Sequence, residues 1–429
     1  MARWTNWSKE QSCRPISIER PGSVAQLQRF VAGATSSGRT VRASGTGHSF
    51  TDIALTDGVM VRLDRLTSVI GYDHERGRFK VEGGIVLGEL NRALDRHGVA
   101  FANLGDIDRQ TVSGSVSTGT HGTGVGYPSV SAQIAELELV VADGSLLTID
   151  ESSPELLRAA RVGLGALGVV YSVTIDVVPA FTIDRTDRSR PLAKTLERLD
   201  ELVAANDHFE FYVFPYTETA LCRESRRSTA DPAPRNRALA YAQDVMLENW
   251  VAQLFVLTAR RTPSQTERFS KLAAAGVGQA RTIDRSFEVF ASERHVRFTE
   301  MEYAIPREQA RDALRRVLAI ASKHEHHVAF PIEVRFASGD DSFLSTSYGR
   351  DTAYIAVHQD PKLDWQPYFA EVEAVMREYE GRPHWGKRHT RTAEEFAALY
   401  PEWEAFAKAR DELDPRRSFR NAYTDRVLG

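Results

Sequence analysis

An α+β protein of two domains is what this sequence predicts, and three observations predict it. The chain has 429 residues, enough for two or three domains of ordinary size. Up to about residue 179, short strand-like runs alternate with amphipathic helices and two glycine-rich segments. Beyond that point, strand runs and helical stretches alternate around what reads as an antiparallel sheet.

The elements follow in order. Residues 23–38 predict a helix with Val24, Leu27, Val31 and Ala34 on one face. Thr40 to Ser44 predicts a strand that leads into GTGHSFTD. Val59 to Leu63 and Arg78 to Glu82 predict two more, and IVLGELNRALDRHG is helical by its spacing. Ala135 to Val141, Leu146 to Ile149 and Val169 to Val177 complete the strands of the first domain, expected over 1–179. In the second, expected over 180–380, Glu210 to Phe214, Arg297 to Ala304, Ile332 to Phe336 and Thr352 to Val357 are the strand runs. Residues 223–237, RESRRSTADPAPRNR, are polar and proline-containing and predict an exposed loop. Residues 381–429 form a third segment with chemistry of its own.

Composition narrows the function. Apolar residues make up 42% and charged residues 26%, so a sizeable core is expected. A net charge of −4, with both signs mixed along the chain, leaves no nucleic-acid footprint. Two cysteines, Cys13 and Cys222, make neither a disulfide framework nor a metal-ligand spacing. The first residues, MARWTNWSKEQ, hold no apolar run, and the best membrane candidate, Trp250 to Ala259, is far short of a span. The expectation is a cytoplasmic protein with no transmembrane segment and no metal.

Two glycine-rich segments carry the first chemical signal. Gly45, Gly47 and His48 follow a strand directly, but the third position of a Rossmann fingerprint is Phe50 and no helix follows. The second runs from Thr111 to Gly124, TVSGSVSTGTHGTG. Small residues let backbone N–H groups approach a pyrophosphate, and hydroxyls add donors. One such segment would read as an ordinary turn; two, each with a histidine among small residues, point to a nucleotide cradle.

Two further patterns carry charge. Glu333 and Arg335 lie two apart in a strand run, so both share one face while Ile332, Val334 and Phe336 share the other. By itself this reads as a solvated face with a surface ion pair. Tyr354, Ala356 and His358 share a face in the same way, and His358 by itself reads as a structural histidine. His384-Trp-Gly-Lys-Arg-His389 sets cations around an aromatic and a glycine, which a surface basic turn would also do.

Taken together, GTGHSFTDIALTDG at 45–58, NLGDID at 103–108, GTHGTG at 119–124, LGALGVV at 164–170, PIEVRF at 331–336 and RPHWGKRH at 382–389 resemble the vanillyl-alcohol oxidase family of FAD enzymes, and within it the aldonolactone oxidoreductase branch. The resemblance covers nearly the whole chain. It implies a two-subdomain FAD-binding domain of the vanillyl-alcohol oxidase type plus an antiparallel-sheet cap domain over the substrate. The FAD contacts it implies are Ala43, Ser44, Gly45, Thr46, Gly47, His48, Ser49, Gly105, Thr111, Gly114, Thr118, Gly119, Thr120, His121 and Val169. His48 matches the position that bonds covalently to the flavin 8α-methyl, or else only caps a turn.

The resemblance makes Glu333, Arg335, Lys387 and His358 the catalytic candidates, with Asp106, His384 and Asn421 as substrate contacts. Lys387 would stabilise charge on the reduced ring. The implied reaction is oxidation of an aldono-1,4-lactone, such as L-gulono-1,4-lactone, at the C2 hydroxyl by hydride transfer to flavin N5, giving ascorbate-type products. The electron acceptor would be O₂, with hydrogen peroxide formed, or a protein or quinone. Gly105, with no methyl group over the flavin, favours O₂. An alditol oxidase is the nearest rival, but those enzymes carry serine where Asp106 stands. A flavin-binding protein without turnover is the third reading, and the charged strand argues against it.

Overall fold

Strand, helix and loop lengths in the first domain follow from where apolar side chains must go. The computed structural model describes residues 3–233, 260, 262–276, 278–291 and 296–429. Strands Ser17–Glu19, Val59–Arg62 and Val41–Ser44 form a parallel sheet in that order. The helix Val24–Ser36 starts at Ser23, whose hydroxyl accepts the Gln26 N–H, and covers this sheet with Leu27, Val31 and Ala34. A five-stranded antiparallel sheet stands beside it, in the order Leu146–Ile149, Ile134–Val140, Val169–Asp176, Arg78–Glu82, Val69–Asp73. The helix Leu87–Arg96 packs Leu87, Leu90 and Leu94 with Phe79 and Val81 of this sheet.

The second sheet system is larger. Among the described residues it has eight strands, all paired antiparallel, in the order Ala280–Arg285, Thr182–Pro191, Thr219–Ser228, His208–Val213, Ile332–Ala337, Thr352–Gln359, Thr299–Pro306, Arg382–Pro383. Period two divides its faces. Phe209, Phe211, Met301, Tyr303, Val334, Phe336, Ile355 and Val357 enter a core completed by the helices Ala310–Ala321 and Gln366–Glu378. Their chain neighbours Glu210, Tyr212, Glu300, Glu302, Glu333, Arg335 and His358 therefore face the other way.

One expectation needs correction, and one strand had no signal in the sequence. Residues 223–237 do not form a loop throughout, because Thr219–Ser228 is a strand and 234–237 lie outside the described residues. Its charges misled the loop reading: they are paired on the sheet, Arg223 with Glu210 at 3.2 Å and Glu224 with Arg190 at 2.5 Å. The strand Thr182–Pro191, TIDRTDRSRP, escaped notice for the same reason. The final segment joins both domains. Arg382–Pro383 closes the edge of the eight-stranded sheet, while Phe396, Tyr400, Trp403 and Tyr423 pack into the core of the first domain. No helix among the described residues is long and apolar enough to cross a membrane, and the candidate Trp250 to Ala259 lies outside them.

Candidate active site

A cleft of about 830 Å³, open to solvent, runs between the 43–49 loop, residues 110–118 and the Leu164–Gly168 turn. Glycine makes this approach possible. A Cβ on Gly45 would stand 2.3 Å from Thr111 Oγ1, and Gly47 holds φ at +78° against the backbone of Asn6. Thr111 caps the short helix Val112–Ser117, its hydroxyl accepting the Gly114 N–H. Arg42 pins the cleft floor: it donates to the carbonyls of Ile53 (2.6 Å), Leu164 (3.0 Å), Gly165 (3.1 Å) and Phe419 (2.8 Å). Burial, and then Arg410, lower its pKa to about 10, so it stays charged. Small residues line the length of the cleft, and its glycines let a ligand approach the backbone closely, which fits a dinucleotide's pyrophosphate.

A second hollow of about 480 Å³, also open to solvent, continues from the first and shares His48, Ser49, Gln110 and Thr118 with it. Gly105, Asp106, Thr120, His121, Glu302, Arg335, His384 and Lys387 line the rest. His48 stands at the junction. Its ring stacks on Trp7 at 5.8 Å, and Nδ1 lies 3.0 Å from Thr46 Oγ1. Burial, with Lys387 and Arg109 nearby, lowers its pKa to about 4, so at neutral pH the imidazole keeps a lone pair. Gly105 is tightly enclosed, because a Cβ there would lie 3.1 Å from both His121 O and Thr120 Cγ2.

Register builds the charged wall. Glu210 pairs across the sheet with Arg335 and with Arg223, and Tyr212 pairs with Glu333. Arg335 consequently meets three carboxylates: Glu333 at contact distance, Asp106 at 3.0 Å and Glu210 at 3.1 Å. The Tyr212 hydroxyl donates to Glu333 at 2.8 Å. Burial opposes the charge on Arg335, but the three carboxylates outweigh it and raise its pKa. Arg335 and Glu333 are only 6% and 3% exposed, which rules out the solvated face that the sequence alone allowed.

The strand Thr299–Pro306 supplies a second pair of carboxylates. Glu300 holds the Lys387 ammonium in a short ion pair and lies 3.6 Å from His358 Nε2. Glu302 lies 3.3 Å from His121 Nε2, while His121 Nδ1 faces the Gly122 carbonyl at 2.9 Å and the ring stacks on Tyr354. Burial raises both carboxyls, yet the net shift is downward: Lys387 and His358 bring Glu300 to about 2, and His121 takes Glu302 well below the usual range. His384 Nδ1 accepts the Gly386 N–H at 3.0 Å and so holds the turn; burial lowers its pKa to about 3. His121, Glu302 and His384 have the proximity of metal ligands, and these hydrogen bonds account for the grouping.

The structure brings most predicted residues together on these two cavities. Five line neither: Glu333 stands behind Arg335, His358 stands behind Glu300, and three more sit elsewhere. Asn421 caps the last helix, its amide donating to the carbonyls of Asp52, Ile53 and Leu55 and its oxygen accepting from Thr424 N–H. Val169 points into the core with Leu27 and Val31, and its neighbour Val170 lines the cleft, since adjacent strand residues face opposite ways. Gly119 takes φ of +69° in the turn after the short helix. Glu300, Glu302, Glu210 and Tyr212 were missed. Their signal was present: TEMEYAIP and HFEFYV carry charge at period two in apolar strands, as PIEVRF does.

Comparison with known proteins follows the same outline. Residues 173–427 match the family described as D-arabinono-1,4-lactone oxidase, and residues 15–150 match an FAD binding domain. The chain is 49% identical to L-gulono-1,4-lactone dehydrogenase of Mycobacterium tuberculosis (strain ATCC 25618 / H37Rv), covering 99% of each chain. It is 32% identical to L-gulonolactone oxidase of Mus musculus, over 99% of this chain and 98% of that one. Alditol oxidase of Streptomyces sp. is 31% identical over the same shares. Cholesterol oxidase from B. sterolicum has the same fold, with a TM-score of 0.83 at 18% identity over 100% of this chain and 96% of that chain.

Proposed function

Because the chain belongs to the D-arabinono-1,4-lactone oxidase family of FAD-dependent oxidoreductases acting on CH–OH groups, we propose that it oxidises an aldono-1,4-lactone of the gulono type at the C2 hydroxyl. The observation that carries this reading is the buried Arg335 with its three carboxylates beside Lys387, at the inner end of the FAD cleft. Bound FAD supplies the hydride acceptor. Residues 43–49, Thr111, Gly114 and Thr118 would hold its pyrophosphate, and the second cavity, which adjoins them, would receive the lactone. Arg335 donates to the lactone oxygens. Glu333, kept in place by Arg335 and Tyr212, takes the hydroxyl proton. Lys387 presents positive charge where negative charge gathers during the reaction. Asp106 at the cavity wall gives the site a further anionic acceptor for substrate hydroxyls.

Anaerobic mixing with L-gulono-1,4-lactone bleaches the flavin absorbance, and xylitol leaves it unchanged over the same time. Bleaching by xylitol and not by lactones would replace this reading with a polyol oxidase. Admitting O₂ then restores the yellow form with formation of peroxide, a result supported by the bare Cα of Gly105 at the cavity wall. A reoxidation rate that does not rise with O₂ would assign another acceptor.

His48 is the position from which a covalent bond to the flavin 8α-methyl forms. Its neutral imidazole at the junction of the two cavities supports this. Acid precipitation of the wild type is expected to carry the flavin into the pellet, and the His48→Ala variant to release it to the supernatant. Release from the wild type would rule out the bond.

A further inference from the structure

We infer that Glu300 is a positioning residue, which fixes the ammonium of Lys387 at the cavity wall and ties it to His358. The inference rests on the placing of Lys387 beside the reactive ring. Its test does not depend on which substrate the enzyme oxidises.

Three observations carry it. Lys387 reaches the cavity on a flexible four-carbon stem, and such a side chain holds one position only if a partner fixes it. The partner is Glu300, which is 5% exposed and sits on the strand directly opposite His358. The backbone of the same strand anchors the turn: Glu302 O accepts the His384 N–H at 3.0 Å, and Glu300 O accepts the Arg388 N–H at 2.9 Å. The Lys387 ammonium also lies over the Phe50 ring at 5.1 Å, a second contact that seats the charge. A carboxylate is costly to bury and stabilises little unless it is paired. An apolar residue would serve the sheet at least as well, so the carboxylate is there for the cation.

The two ways Glu300 can act have opposite signs. As a bare negative charge near the cavity it makes the flavin harder to reduce, and removing it would raise the midpoint potential. As the anchor of Lys387 it keeps a positive charge close, and removing it lowers the potential. The experiment is the FAD midpoint potential of purified holoenzyme, by equilibration with a reference dye. Glu300→Gln is expected to lower the reduction equilibrium constant by about tenfold, the scale for losing a partner that orients a functional group, which is ~30 mV for a two-electron couple. In a Lys387→Met background the same substitution is expected to produce no further lowering. A potential that is unchanged or raised by Glu300→Gln, or lowered equally in both backgrounds, overturns the proposal. If Glu300→Gln does not retain FAD, Glu300→Asp carries the same pair of measurements, since it keeps the charge but draws it back from Lys387.

Discussion

Lys387→Met slows flavin reduction by the lactone by about 10²–10³-fold, the scale for removing one preorganised charge-stabilising donor. Methionine keeps most of the length of the lysine stem and removes the ammonium, with its ion pair to Glu300 and its contact over Phe50. The substitution leaves Glu300 buried without its ammonium partner, with His358 Nε2 3.6 Å away, and a drop in melting temperature accompanies the kinetic loss. Stopped-flow reduction per mole of bound flavin separates the two effects. An unchanged reduction rate with intact FAD would remove Lys387 from the reaction.

Glu333→Gln and Arg335→Ala are expected to fail in different ways. Glutamine keeps the shape of Glu333 and an oxygen for the Tyr212 hydroxyl, and Arg335 retains Asp106 and Glu210 as partners. The fold is then largely preserved while oxidation falls by about 10²–10⁴-fold, as for loss of a positioned proton acceptor. Arg335→Ala strands three buried or half-buried carboxylates without their common cation. Breaking a buried pair in this way costs about 3–5 kcal/mol, so this variant loses stability as well as activity. The loss is greatest near neutral pH, where the carboxylates are ionised. The pKa of Glu210 is held below its ordinary value, against burial, by Arg335 and then Arg223. Its contribution to stability is therefore present above the unfolded pKa and lost as pH falls through the lower folded value. Thermal unfolding across pH 4–8, about the range of carboxylate titration, checks this. A Glu333→Gln enzyme with full activity per flavin would make the pair structural.

Much of the site was legible before any fold was known, because its chemistry is local in sequence. GTGHS and TVSGSVSTGTHGTG announce backbone exposure through small residues, and period two alone puts Glu333 with Arg335 and Tyr354 with His358. The polar strands were not legible. Thr182–Pro191 and Thr219–Ser228 offer no apolar alternation, since their charges are matched by partners on neighbouring strands. Asn421 looked like a cavity residue by its place in a resemblance, and became a helix cap once three carbonyls from 52–55 met its amide.

What the sequence by itself determined are the properties carried within a few residues: the glycines that open the cleft, the faces of the apolar strands, and the family to which the chain belongs. Tertiary structure decided which of those faces is buried and what stands opposite each charge. Glu210, Arg335 and Asp106 are separated by more than a hundred residues along the chain between neighbours of the cluster, and only sheet register and the packing of one domain on the other join them. The physical reason is that burial turns a screened surface charge into one that must be paired. Burial and pairing are both relations between distant segments, and no local pattern encodes them.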